Sequence, residues 1–110
     1  TLTYNGIYVV GNRGSNWKEV GSAAITANFG TNTFSLSATS TDTTLTGNGI
    51  IDNANGRISS NNLVFTDVVM GNYTASTAGN VGSSNGQDIT GVWYTNDTAP
   101  DFAGAYAVTR

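Results

Sequence analysis

The chain has 110 residues, enough for one domain that builds its core without metal or disulfide. Hydrophobic residues make up 38% and charged residues only 10%, with a net charge of −3 and neither His nor Cys. That inventory excludes Ser-His-Asp and Cys-His catalysis and the usual zinc sites, and it lacks the basic stripe of a nucleic-acid binder.

Eight strands are predicted in chain order. Thr3–Val10 places Tyr4, Gly6, Tyr8 and Val10 on one face and Ile7 and Val9 on the other, the period-2 pattern of a half-buried strand. After a polar loop, Gly11–Lys18, the second strand is Glu19–Phe29, with Ala23, Ile25, Ala27 and Phe29 in phase. Gly30-Thr31-Asn32 reads as a short turn with a residue free to take positive φ. Thr33–Ala38 and Thr43–Asp52 follow. The Asn53-Ala54-Asn55-Gly56 stretch is the clearest hairpin signal, because Asn-Gly suits the primed turns.

The fifth strand is predicted from Arg57 to about Thr66, interrupted near Ser60–Asn62, and the sixth over Val69–Ala75. Thr77–Gln87, rich in Gly, Ser and Asn, reads as a loop. Gln87–Arg110 forms the closing hairpin: Ile89, Gly91 and Trp93 share one face, and Phe102, Gly104, Tyr106 and Val108 share the facing one. Glycine across from large aromatics on an inner face marks a bend or room for a big neighbour. Asp97-Thr98-Ala99-Pro100-Asp101 fits one helical turn with an early proline.

Eight short strands in meander order predict an all-β fold, a small eight-stranded antiparallel up-and-down β-barrel spanning 1–110 as a single domain. A barrel of that size has room for side chains or one small ligand. Inward Tyr4, Tyr8, Phe29, Phe34, Phe65, Trp93, Phe102 and Tyr106 predict a filled interior, with function confined to loops and outer wall.

Few residues suggest chemistry. Asp97 and Asp101 could approach as a carboxylate pair, but a cap and a solvated loop charge explain them better. Asp52–Gly56 lacks the carboxylates of a calcium loop and reads as a hairpin turn. Haem would have only Met70 or Tyr73 as ligand, and strand packing is the simpler reading of both. Val68-Val69-Met70 reads as strand interior, with a loop-tip patch as the other reading. Trp17, flanked in a polar loop by Arg13 and Lys18, reads equally as an interface anchor or as a plug over the barrel end.

Three segments resemble the small barrel domain of the transferrin-binding protein B family, which includes factor H-binding protein and related bacterial surface lipoproteins. They are Gly21–Leu36, a strand–Phe-Gly turn–strand; Leu45–Phe65, a paired-strand pattern; and Ile89–Tyr106, the closing hairpin Gly91-Val92-Trp93-Tyr94 and Ala103-Gly104-Ala105-Tyr106. The resemblance implies a barrel fold, a cell-surface or extracellular location and a binding role.

The expected function is therefore a non-enzymatic bacterial surface or secreted module. It would bind a protein or other large extracellular partner through exposed loops, with Trp17, Arg13 and Lys18 contributing and no cofactor, metal or nucleic acid. The alternative is a structural subunit of an extracellular filament or surface layer, self-assembling by strand addition along Thr3–Val10. No apolar run reaches membrane-spanning length, and the start at Thr1 without Met predicts a processed protein or excised domain.

Overall fold

Alternation of buried and exposed side chains marks eight strands in the computed structural model, which describes residues 1–82, 86–97 and 101–110. They are β1 (Leu2–Asn12), β2 (Lys18–Asn28), β3 (Thr33–Thr39), β4 (Thr43–Asp52), β5 (Arg57–Asp67), β6 (Gly71–Val81), β7 (Asp88–Thr95) and β8 (Phe102–Thr109). Each pairs antiparallel with its sequence neighbour, and β8 returns to pair with β1, closing an eight-stranded up-and-down barrel. Closure leaves no edge strand among the described residues. β1 has β2 on one side and β8 on the other, so the strand addition expected along Thr3–Val10 has no free edge to use.

The interior is a column of rings. Tyr8 stacks on Trp93 at 5.8 Å between centroids and Trp93 on Phe65 at 5.0 Å, Phe65 lies tilted against Phe102 at 4.6 Å, and Trp17 meets Phe102 edge-on at 6.2 Å. Such pairs contribute about 0.5–1.5 kcal/mol each beyond the area they bury. Of the rings expected inside, Phe29 alone is displaced: it lies just past the end of β2 and is only half-buried. Every buried side-chain polar atom among the described residues has a hydrogen-bond partner. The Tyr8 hydroxyl pairs with Thr43 Oγ1 at 2.9 Å, and the Tyr106 hydroxyl with Thr77 Oγ1 at 2.7 Å.

Glycines make room for these rings. An added Cβ at Gly91 would stand 2.3 Å from the Tyr106 hydroxyl oxygen, and one at Gly104 would stand 2.8 Å from Trp93 Nε1.

Burial also tunes the phenols. Desolvation, opposed by the Thr43 hydrogen bond, leaves the Tyr8 hydroxyl pushed up to about 12, and burial raises Tyr106 as well. A raised folded-state value means stability is complete below about pH 10 and falls as pH climbs toward the folded value. Urea midpoints measured from about pH 9 to 12 should therefore decline, with Tyr8 alone removing roughly 2–3 kcal/mol by the upper limit. A flat profile would show that the phenols ionise as freely folded as unfolded.

Two other expectations shift. β6 does not stop at Ala75: it runs to Val81, through residues expected to be loop. Val68, Val69 and Met70 are not strand interior but the β5–β6 turn, with 71%, 84% and 57% of their surface exposed. The β2–β3 turn has its residue at positive φ as expected, and that residue is Asn32. The helical turn expected at Asp97–Asp101 falls on residues 98–100, outside the described residues. The interruption expected near Ser60–Asn62 is present, as register shifts against β4 and β6.

Candidate functional site: the acidic loop end of the barrel

Up-and-down connectivity puts the β1–β2, β3–β4, β5–β6 and β7–β8 connections at one end and the chain termini at the other. The loop end collects Glu19, Asp42, Asp67, Asp97 and Asp101 against Arg13 and Lys18, so the chain's whole net negative charge resides there. Asp52 and Asp88 near the opposite end are balanced by Arg57 and Arg110.

Hydrogen bonds stitch the loops to the barrel. Arg13 N donates to Asp101 O at 2.8 Å, and Val68 N donates to Asp42 O at 3.0 Å. The Glu19 carboxylate accepts from Ser40 Oγ at 2.5 Å and from Asp42 N at 3.1 Å. The Ser40 bond holds Glu19 below the usual carboxylate range, whereas Asp42, hydrogen-bonded to that carboxylate, is raised.

The β5–β6 tip is built around Asp67, which is itself buried. Its Oδ1 accepts from Val69 N at 2.8 Å and from Met70 N at 3.0 Å, the pattern by which Asp closes a turn. Gly71 leaves the turn at φ +95°, a conformation that favours glycine. The turn geometry thus holds three consecutive apolar side chains outward.

Of the residues expected at the site, Arg13 and Lys18 are exposed and Trp17 is half-buried. All three sit at the loop end, with the tip across the barrel mouth on the β5–β6 connection. Trp17 packs edge-on to Phe102 against the core, so its first role is to cap the ring column. Sequence reading placed the tip inside a strand because Val-Val-Met has strand composition. The available signal was Asp67 before it and Gly71 after it.

The residues considered for chemistry are accounted for locally. Asp52 Oδ1 accepts from Ala54 N at 2.9 Å and Gly56 N donates to Asp52 O at 2.8 Å, a hairpin turn as expected. The Tyr73 hydroxyl donates to Asp101 Oδ2 at 3.4 Å while its ring packs on Phe65 and Phe102. A hydrogen bond with Thr95 is the main cause holding Asp97 below its ordinary value, which suits a solvated loop charge. Among the described residues no three acidic side chains converge as metal ligands would.

Comparison with known proteins returns no matching family model and no matching curated protein.

Proposed function

We propose that the chain is a non-enzymatic bacterial surface or secreted binding module, a member of the transferrin-binding-protein-B-like barrels. It docks a protein partner through its loop end. What supports the reading above all is the tip: Val68, Val69 and Met70 point outward on a turn tied down by Asp67. Folding gains nothing from their exposure. Burying the surface they still show would contribute roughly 3–6 kcal/mol to association.

The surrounding charge narrows the partner. An apolar tip ringed by acidic side chains fits a cleft that is apolar at its floor and basic at its rim, and the charge steers encounter more than it adds affinity. Trp17 supports this end of the barrel from beneath, and Arg13 and Lys18 add the contacting cations. Assembly by strand addition has no support in this reading, since β1 is paired on both sides.

The test is site-specific photo-crosslinking with the reactive residue at Val69 or, at the far end, at Asn55, in protein exposed to the extracellular proteins of its natural setting. A discrete adduct from Val69 and none from Asn55 is the expected result. No adduct from Val69, or one from Asn55 alone, overturns the proposal.

A further inference from the structure

A second surface lies on the barrel wall, away from the loop end. β5 carries one residue more than either neighbour here: Ser60 to Leu63 spans Thr77 to Ala75 of β6, and Ser59 to Val64 spans Ile50 to Thr46 of β4. The surplus bends the strand, as bulges do where a side chain is re-aimed. Outside the bend is a groove of about 450 Å³, within the range of small-ligand sites, about 300–1,000 Å³.

The register lines up one row of side chains across it. Tyr94 of β7 pairs with Ser76 of β6, Ser76 faces the bulged Asn61 and Asn62 of β5, and Asn48 of β4 lies beyond. Three strand-to-strand steps make that row about 14 Å long. None of the lining residues is charged. Tyr94 and Ile50 expose 46% and 62% of their surface, giving one aromatic and one aliphatic platform.

The polar groups are held but not exhausted. Asn96 Nδ2 donates to Asn61 O at 3.2 Å, and Ser76 Oγ donates to Asn96 Oδ1 at 2.6 Å, fixing the bulge from outside. Ser60 Oγ lies 2.7 Å from Asn48 O and 2.8 Å from Asn62 Oδ1. The bonds to Asn48 and Asn61 are to their backbone carbonyls, and their side-chain amides and the Tyr94 hydroxyl take no partner among the described residues. Each amide can both donate and accept, as adjacent sugar hydroxyls require.

We propose that this groove binds a short neutral oligosaccharide. A pyranose C–H face would lie on Tyr94, and hydroxyls of the following units would bond the Asn61 and Asn48 amides. Lack of charge argues against phosphorylated or acidic ligands. A peptide adding as a further strand would need a free strand edge, which the closed barrel does not offer among the described residues. The site is independent of the loop end and stands or falls without it.

The experiment is an amide NMR titration of the intact chain with malto-, cello-, chito- and mannohexaose in turn. Saturable shifts at Asn48, Asn61, Asn62 and Tyr94 with at least one of them are expected. Tyr94→Ala should weaken that binding about tenfold, while Tyr94→Phe, which keeps the ring, should lose less. Because Tyr94 faces outward, melting curves of both variants should match the parent within a few degrees. No saturable shift with any of the four sugars, or binding indifferent to Tyr94→Ala, overturns the proposal.

Discussion

Gly104→Ala should cost this barrel a large share of its stability. A Cβ at that position would lie 1.9 Å from the Val9 carbonyl oxygen and 2.8 Å from Trp93 Nε1. The first obstacle is backbone of the paired strand, which no rotamer change can move. The second is the indole that donates to the same Val9 carbonyl at 3.3 Å. One methyl group would therefore have to part β8 from β1 at the seam that closes the sheet. A loss of at least about 3 kcal/mol is expected, above the usual overpacking cost because backbone rather than side chain must yield. For a domain of this size that is a fall in melting temperature of well over about 10 °C. Gly11→Ala is the matched control: its nearest neighbour would be 3.8 Å away, and a change within about 0.5 kcal/mol is expected. Thermal melts of the two variants side by side check this, and equal losses would contradict it.

Phe65→Ala should cost roughly 3–5 kcal/mol, the usual range for deleting a buried aromatic ring. Phe65 is fully buried, and its ring lies between Trp93 at 5.0 Å and Phe102 at 4.6 Å, with Tyr73 at 6.3 Å. These neighbours belong to strands whose pairing is fixed around a closed circle, so the wall cannot collapse inward to fill the gap. A cavity the shape of a phenyl ring should remain, and that shape supplies the test. Benzene should bind the variant and restore part of its stability, by about 2.7 kcal/mol at a hundredfold excess over its dissociation constant. A variant that melts like the parent would show the ring column to be slack.

The barrel was legible in the sequence wherever large inward residues alternate, because period 2 is a strong signal when the inner face is Tyr, Phe, Trp, Ile or Leu. It was lost where the inner face is small and polar. The second half of β6 turns Ala75, Thr77, Gly79 and Val81 inward, in a stretch otherwise made of Ser, Ala and Asn, which has the composition of a loop. The barrel needs small residues there: Thr77 Oγ1 donates to Val92 O at 2.7 Å and meets the Tyr106 hydroxyl, filling a space a larger side chain would overfill. Val68-Val69-Met70 misled in the opposite sense. Strand composition lost to the Asp67 carboxylate, which captures two amide groups and turns the chain. In the β2–β3 turn Asn28 Oδ1 accepts from Gly30 N at 2.9 Å and Thr31 N at 3.1 Å, and the positive φ falls on Asn32.

The two surfaces differ in the same way. The loop end was half visible, since Trp17, Arg13 and Lys18 are consecutive or nearly so, and an aromatic between cations stands out. The wall groove was not. It requires Tyr94 of β7 to align with Asn48 of β4 across two intervening strands, and that alignment depends on one surplus residue in β5. A sequence shows that a strand is interrupted; only the register shows what the interruption brings together.

The central claim is that rings fill the lumen, so that binding belongs to the outside of the barrel. Its most direct test is the melting temperature of the parent and Phe65→Ala with increasing benzene, both carrying Trp17→Phe so that the fluorescence followed is that of Trp93. Stabilisation of the variant with no movement of the parent is expected; a parent that gains stability in step with the variant, with a change in Trp93 emission, would place a ligand-sized space among the rings and contradict it.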